Sequence, residues 1–216
     1  MEEGGPEHLG LELLDNLLRG FVVGLSIAAP VGPIGLLCIQ RSLTNGRLSG
    51  LASGLGAATA DATYGSIAGF GLTYVSAFLV GQQLWIRLAG GAFLVVLGAR
   101  IFLSVPKESA GSVPRRRLMH DYLSTFALTF SNPLTIIAFA AVFAGLGLVG
   151  TGGDYSAATP LVLGVFAGST AWWVILSSGV SAFRTALDPH RMRWINRISG
   201  VVIVCFGAIA FLSLLL

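Results

Sequence analysis

The sequence predicts an all-α integral membrane protein with six transmembrane helices arranged as two inverted three-helix repeats. Three observations predict this fold: too few charges for a soluble protein, six long stretches almost free of charge, and a duplication within the chain. Of the 216 residues, 54% are hydrophobic and only 11% are charged, against about 25% charged in typical soluble domains. So few charges cannot cover a soluble surface, which excludes a disordered chain, a nucleic-acid-binding domain and an ordinary cytosolic enzyme.

Six stretches of the chain are apolar enough to be membrane spans. Each has about 20 residues, the length that a helix needs to cross a bilayer core of about 30 Å. Helices are expected because backbone polar groups in lipid must be hydrogen-bonded within the segment. The stretches are centred near Ala29, Thr63, Leu94, Thr135, Ala171 and Val204.

The distribution of basic residues predicts the orientation in the membrane. Eleven of the thirteen Lys and Arg residues fall in the first, third and fifth loops, and most acids fall on the other side. The positive-inside rule assigns the basic side to the cytoplasm. We therefore predict a multi-pass protein of the bacterial cytoplasmic membrane with both termini outside. The run Arg115–Arg117 is interpreted as a topology determinant rather than as a nucleic-acid or anionic-lipid patch.

The third and sixth spans repeat each other in sequence. Trp85-Ile86 recurs 109 residues later as Trp194-Ile195, and nine of the twenty positions from Trp85 to Ser104 are identical at that shift. A unit with three spans must be inverted in its second copy, which is typical of secondary transporters. The predicted organisation is a short acidic external segment (1–16), a first three-helix repeat (17–104), a basic cytoplasmic linker (105–120) and a second three-helix repeat (121–216).

Two spans carry helix-breaking residues at matching depth. Proline removes a backbone hydrogen-bond donor and clashes with the preceding turn, and glycine adds backbone freedom. A simple kink is one interpretation, but paired breaks are expected where half-helix ends line a transporter site, and their amide donors suit a carboxylate. The predicted substrate-binding residues are Pro30, Gly32 and Pro33 in the first span and Ser131, Asn132 and Pro133 in the fourth.

Asp61 is the only acidic or basic residue between Leu48 and Leu84, and it lies near the middle of the second span. A charge at that depth costs at least about 2.5–3.5 kcal/mol on insertion scales, so we interpret Asp61 as functional. The sequence leaves two roles open, which are cycling a proton and pairing with a substrate ammonium. The residues predicted to line the same site are Thr59, Tyr64, Ser169, Thr170 and Trp172.

Two other functions fit the same architecture. A metal-ion exporter needs clustered His, Cys or carboxylate ligands, but His8, His120 and His190 lie outside the spans, so no metal site is predicted. A membrane thiol-redox carrier needs two cysteines that approach each other, whereas Cys38 and Cys205 occupy non-equivalent places in the repeat. Buried cysteine usually behaves as a small hydrophobic residue.

These motifs together resemble the lysine exporter family, the LysE/RhtB-type amino-acid exporters of bacteria. The stretch Pro30–Pro33 and the basic turn Arg41–Arg47 resemble the family's proline–glycine motif and the turn after it. Gly54-Leu55-Gly56 leading to Asp61 is similar to its second-helix motif, and Ser131-Asn132-Pro133 to its fourth-helix motif. The likeness covers about residues 20–216. It implies export of amino acids or similar small solutes, driven by the membrane potential or a proton gradient.

We therefore predict a secondary exporter rather than an enzyme, which moves amino acids or related solutes out of the cytoplasm by alternating access. No cofactor is predicted. The predicted partners are the small-molecule substrate and the lipid bilayer, without nucleic acid. A scaffold protein would leave Asp61 and the paired breaks without a purpose. The sequence leaves open a homo-oligomer, the substrate and the coupling ion.

Overall fold

The computed structural model describes residues 6–30, 32–70, 81–104, 114–132, 135–136, 138–139, 155–183 and 189–212. These residues are almost entirely α-helical, as the sequence predicts. They form seven long helices: α1 (Pro6–Ala28), α2 (Pro33–Asn45), α3 (Arg47–Gly69), α4 (Gln83–Leu103), α5 (Arg115–Phe130), α6 (Tyr155–Ala182) and α7 (Pro189–Leu212). The first helix already begins at Pro6, so the chain continues from the acidic segment into the first span without a break at residue 16.

The first predicted helix break is present. α1 ends at Ala28 and α2 begins at Pro33, and the directions of the two helices differ by 79°. Gly32 precedes α2 in extended backbone. Pro33 occupies the first helical position, where a missing amide hydrogen costs nothing and the fixed φ angle suits the helix. The first span is therefore two half-helices whose ends meet at residues 28–33.

A one-residue turn joins α2 to α3. Gly46 has φ 95° and ψ 170°, and it is the only residue in the described ranges with a positive φ. Side chains of L-residues rarely adopt this region, so glycine is needed here. The turn folds α2 back along α3, where Gly50 lies against Ser42. This arrangement carries the polar end of α2 next to the first turns of α3.

The second predicted break lies after α5. The helix ends at Phe130, and the Ser131 amide donates back to the Ala127 carbonyl at 2.9 Å. Helical structure resumes at residues 135–136 and 138–139, with the Thr135 amide bonded to the Asn132 carbonyl at 3.1 Å. Pro133 lies outside the described residues. The two breaks interrupt the first and fourth predicted spans, as the proline positions indicate.

Four helix pairs make up most of the packing, and small residues lie at each of them. α1 runs parallel to α6, and α3 runs parallel to α5. α3 also runs antiparallel to α6, and α4 runs antiparallel to α7. The contacts that define these directions are Leu17 with Gly164, Phe21 with Gly168, Ser49 with Asp121, Tyr64 with Phe130, Gly54 with Trp173, Gly69 with Ala158, Gly98 with Gly200 and Gly91 with Gly207.

The crossing of α4 and α7 depends on four glycines. A Cβ atom on Gly98 would lie 2.7 Å from the Gly200 carbonyl oxygen, and one on Gly207 would lie 2.9 Å from the Gly91 carbonyl oxygen. Such distances leave no room for a side chain. Small residues at these positions let the two backbones touch, which is how membrane helices commonly associate.

Two described helices are each long and apolar enough to cross a membrane, over Ala158–Ala182 and His190–Leu212. The bent pair of α1 and α2 also passes when it is taken as one span, and α4 contains the shorter apolar stretch Leu88–Leu103. Many large apolar side chains on α1 and α7 point outward, which suits contact with lipid. The fold is that of a helical membrane protein, and the full count of six spans stays a prediction.

Candidate functional site

A cavity of about 440 Å³ lies where the α1–α2 break faces α3, α6, α7 and the end of α5. We call it the Asp61 cavity. Its volume falls in the usual range of small-molecule sites, roughly 300–1,000 Å³. The lining residues are Ile27, Ala28, Pro30, Gly32, Pro33, Ile34, Gly35, Ala57, Asp61, Thr129, Asn132, Thr135, Ala138, Trp173 and Phe206. The cavity thus brings together Asp61 and residues from both predicted breaks.

Asp61 is held by a chain of hydrogen bonds from α6. The Ser169 hydroxyl donates to Asp61 Oδ2 at 2.7 Å, and the Trp173 indole donates to the Ser169 oxygen at 3.1 Å. The carboxyl is only 3% exposed, and within the described ranges it forms no salt bridge. A buried carboxylate is costly unless a cation or a proton neutralises it. Among the described residues the carboxyl has no cationic partner, so a proton or a bound cation would have to neutralise it.

The first turn of α2 forms another part of the wall of the Asp61 cavity. Gly32, Pro33, Ile34 and Gly35 all line it. Amide groups in the first turn of a helix have no intrahelical acceptor, and the helix dipole adds partial positive charge there. The N-cap residue is Gly32, which has no side chain with which to cap this helix end. The wall can therefore bind an anionic group such as a carboxylate.

The remaining walls combine one unsatisfied hydroxyl with aromatic surface. The Thr129 hydroxyl is buried and has no hydrogen-bond partner among the described residues. Asn132 donates its side-chain amide to the Thr135 hydroxyl at 3.0 Å, which fixes the second break. Trp173 and Phe206 supply apolar surface. A small solute with two charged ends and an apolar side chain would match this arrangement.

The other predicted site residues lie outside the described lining of the cavity. The Tyr64 hydroxyl donates to the Phe130 carbonyl, and its ring stacks on Phe130. Thr59 donates to the Leu55 carbonyl and accepts from Tyr122. The positions concerned are Thr59, Tyr64, Ser131, Thr170 and Trp172, together with Pro133 outside the described residues. Ser169 also lies outside this lining, but its hydroxyl bonds Asp61.

A second polar cluster lies at the far end of α2, and the sequence did not single it out. Arg41 is buried and forms a salt bridge with Asp121, with Nε 3.4 Å from Oδ1. The guanidinium also donates to the hydroxyls of Ser53, Thr125 and Ser124, each at 2.8 Å. Asp121 accepts a further hydrogen bond from Ser49. This network ties α2, α3 and α5 together.

Sequence signals for that cluster exist but are weak. Arg41 ends an uncharged stretch, and Asp121 immediately precedes another, so both looked like interfacial charges. Only their mutual contact, across 80 residues of sequence, reveals a buried pair. Thr129 was missed for a similar reason, because a threonine in an apolar helix is common and its missing partner cannot be read from sequence.

The described residues offer little for a metal or redox centre. They contain no group of three or more His, Cys, Asp or Glu residues that could hold a metal ion. Both cysteines are free thiols; Cys38 is buried on α2 and Cys205 is exposed on α7. The polar chemistry of the site therefore rests on a carboxyl, hydroxyls and backbone amides.

Comparisons with known proteins place the chain among transporters. A family model described as "LysE type translocator" matches residues 25–213. The "Putative amino acid efflux protein YcgF" of Bacillus subtilis (strain 168) is 30% identical over 199 residues, which cover 90% of this chain and 94% of that protein. The "Uncharacterized membrane protein YahN" of Escherichia coli (strain K12) is 29% identical over 179 residues, covering 78% of this chain and 77% of that protein. No solved structure matches the chain.

These matches confirm the resemblance predicted from the proline–glycine, Asp61 and Ser131–Pro133 motifs. They also confirm the prediction of a transporter rather than an enzyme, because a translocator moves its solute without converting it.

Proposed function

Because the chain belongs to the LysE type translocator family, we propose that it is a secondary exporter of amino acids or related small solutes. It moves them out of the bacterial cytoplasm by alternating access, and the Asp61 cavity is its substrate site. Support for an amino acid comes from the name of the Bacillus subtilis relative and from the chemistry of the cavity.

The observation that carries this proposal is the pairing of opposite electrostatic features within one cavity. Asp61 lies on one wall, and the first turn of α2 lies on another. The carboxyl suits a substrate ammonium, and the helix end suits a substrate carboxylate. A zwitterionic amino acid carries both groups. Pro30, Gly32, Pro33 and Asn132 shape the backbone on which this arrangement depends.

Alternating access requires two halves that can rock against each other, and we propose that these are inverted repeats. In this scheme the first half contains α1–α4 and the second contains the remaining helices. An exchange of the halves would convert the parallel α1–α6 pair into the α5–α3 pair, which is also parallel. It would convert the α3–α6 and α4–α7 pairs into themselves, and both are antiparallel. Each main helix contact thus has a symmetric counterpart, which supports the scheme.

The four glycines of the α4–α7 crossing support the same symmetry. The sequence repeat equates Gly91 with Gly200 and Gly98 with Gly207. In the fold Gly91 lies against Gly207, and Gly98 lies against Gly200. When each glycine is replaced by its equivalent in the other repeat, the Gly91–Gly207 contact becomes the Gly98–Gly200 contact. An approximate two-fold axis through the crossing requires this relation. The six spans, the inner-membrane location and the external termini belong to this proposal.

We further propose that Asp61 couples transport to its energy source. Its carboxyl alternates between a proton and the substrate ammonium, so that only one of them occupies the site at a time. The hydrogen bond from Ser169 keeps the carboxyl oriented toward the cavity in both states. Because the carboxyl is buried, leaving it ionised with neither a proton nor a substrate is costly. Release of the proton is therefore linked to binding of the substrate, and release of the substrate to binding of a proton.

Uptake by inside-out membrane vesicles tests the proposal. A mixture of the standard amino acids is supplied with a pH gradient, and accumulation is followed by mass spectrometry. We expect at least one amino acid to accumulate and to be lost when the gradient collapses. Asp61→Asn should reduce the initial rate by a factor of about 10²–10⁴, because breaking a buried ion pair costs on the order of 3–5 kcal/mol and about 1.4 kcal/mol corresponds to a factor of ten.

Thr63→Val is the matched control for this variant. Thr63 lies two residues away on the same helix, outside the described lining of the cavity, and its hydroxyl bonds the Thr59 carbonyl. Its transport rate should stay near that of the wild type. Full activity of a correctly inserted Asp61→Asn protein would disprove the coupling role, and absence of any accumulation by the wild type would reject amino-acid export.

A further inference from the structure

A second cavity, of about 470 Å³, lies between α2, α4, α5 and α7. We call it the Arg100 cavity. Arg41 lines it and lies eight residues after Pro33 on α2, which corresponds to about 12 Å of helix. One buried apolar cluster contains both Leu37, which lines the Arg100 cavity, and Ala57, which lines the Asp61 cavity. The two cavities share no lining residue, and we treat them as separate sites.

The Arg100 cavity carries excess positive charge. Arg41 and Asp121 form a neutral pair, and their hydrogen bonds go to neighbouring protein groups. Two further arginines line the cavity, Arg100 and Arg117, and both are exposed. In the part of the chain that the structure describes, neither of them forms a salt bridge. Two guanidinium groups at one opening attract an anion and match a carboxylate or phosphate in shape.

The floor of the Arg100 cavity is polar and is assembled from three helices. The Gln40 amide on α2 donates to the Asn196 carbonyl oxygen on α7 at 3.0 Å. The Asn196 amide donates in turn to the Ser104 hydroxyl after α4, at 2.9 Å. Asn196 is only 2% exposed. Burying such amides between apolar helices is costly unless they are hydrogen-bonded. Here Gln40, Asn196 and Ser104 bond one another, and all three line the cavity.

We propose that the Arg100 cavity is a second binding site for the exported solute, in which Arg100 and Arg117 hold its carboxylate before it reaches the Asp61 cavity. This inference rests on the export function proposed above. The polar floor favours a small solute over a lipid headgroup, because a headgroup phosphate would need only the exposed arginines. The cavity would select solutes with a free carboxylate and concentrate them by electrostatic attraction at the basic side of the membrane.

Chemical protection of the arginines tests binding without requiring transport. The purified protein in nanodiscs of neutral lipid is labelled with phenylglyoxal, which modifies guanidinium groups, and each arginine is quantified by peptide mass spectrometry. The probes are a mixture of the standard amino acids and a matched mixture of their amides, which lack the carboxylate. We expect the acids, but not the amides, to protect Arg100 and Arg117. Exposed Arg115 and Arg116 should stay unprotected in both mixtures and serve as internal references.

Two further experiments distinguish this site from two alternatives, a single site shared with Asp61 and a site for a lipid headgroup. The same protection should persist in Asp61→Asn protein, even though transport by that variant is strongly reduced, because the two cavities share no lining residue. Loss of the protection of Arg100 and Arg117 in the Asp61→Asn protein would mean that only one site exists and would overturn the inference. Nanodiscs with anionic lipid distinguish a headgroup site. Protection of Arg100 and Arg117 by that lipid alone, with no competition from amino acids, would also overturn it.

Kinetics then tests the role in transport. In the vesicle assay, Arg100→Gln/Arg117→Gln should raise KM roughly tenfold or more, since each lost charge-assisted hydrogen bond weakens binding. It should leave kcat within about a factor of two, because the chemistry of the Asp61 site is intact. Arg115→Gln/Arg116→Gln makes the same charge change outside the cavity and should alter neither constant. An equal KM in both double variants would show that Arg100 and Arg117 have no special role. Failure of all proteins to transport would count against export itself, while the protection assay still decides binding.

Discussion

At the scale of single residues, the unusual feature is a buried acid whose partners among the described residues are neutral. Asp61 accepts a hydrogen bond from Ser169, which in turn accepts one from Trp173. The sequence identified Asp61 because it stands alone in an uncharged helix, and it identified Ser169 because of its depth. It did not identify Thr129, whose buried hydroxyl lacks a partner within the described ranges. Asp61 and Thr129 therefore line the cavity with a carboxyl and a hydroxyl, and Ser169 holds the carboxyl.

Thr129→Val tests whether that unsatisfied hydroxyl serves the substrate. The change keeps the shape of the side chain and removes a buried polar group, so the fold should gain about 1 kcal/mol of stability. Transport should weaken at the same time, with KM rising roughly threefold to tenfold for the loss of one hydrogen bond. Thermal unfolding in detergent and vesicle uptake measure the two effects. A gain in stability with unchanged KM would show that the hydroxyl does not contact the substrate.

At the scale of helices, proline and glycine positions predicted where the chain breaks. The end of α1, the start of α2 at Pro33 and the end of α5 at Phe130 all follow from backbone chemistry within a few residues of sequence. Close packing of α3 depends on its small residues, and Gly54 lies against Trp173. Which helix packs against which face could not be predicted in this way, because a contact between two helices depends on both partners.

Gly98→Ala tests the backbone contact between α4 and α7. The added Cβ would lie 2.7 Å from the Gly200 carbonyl oxygen, so the helices must move apart, at a cost of about 1–3 kcal/mol. We expect a melting temperature several degrees lower, measured by size-exclusion chromatography of heated samples in detergent. Gly179→Ala on α6 is the control, since nothing lies within 4 Å of its added Cβ. The melting temperature of that control should be unchanged or slightly higher. An equal fall in melting temperature in both variants would contradict the close crossing of α4 and α7.

At the scale of the whole molecule, the distribution of charge and the directions of the packed helices fit the same arrangement of alternating spans. Eleven basic residues on one side predicted the orientation, and the parallel and antiparallel helix pairs follow the directions that six alternating spans require. Arg41 and Asp121 both come from the predicted cytoplasmic side, and they meet there. Arg41 and Asp121 also line the Arg100 cavity, so the proposed orientation assigns this cavity to the cytoplasmic side. A solute from the cytoplasm would therefore encounter this cavity first.

Reporter fusions test the orientation. With both termini outside, alkaline phosphatase fused after Leu216 should be active, and green fluorescent protein at the same position should be dark. Fusions after residue 110, in the basic linker, should give the opposite result, because the positive-inside rule assigns that loop to the cytoplasm. Fluorescence from the fusion at Leu216 would reverse the proposed direction of transport relative to the Arg100 cavity.

The sequence by itself determined the class of protein, the two helix breaks and the family, and it singled out Asp61 as a candidate site residue. Each of these follows from local composition or from one residue that is out of place in lipid. The tertiary structure alone decided which polar groups meet, such as Ser169 with Asp61 across 108 residues and Arg41 with Asp121 across 80. The physical reason is that a membrane helix is apolar on every side, so its periodicity does not indicate which face packs inward. One residue along a helix turns the side chain by about 100°, and a hydrogen bond tolerates far less error.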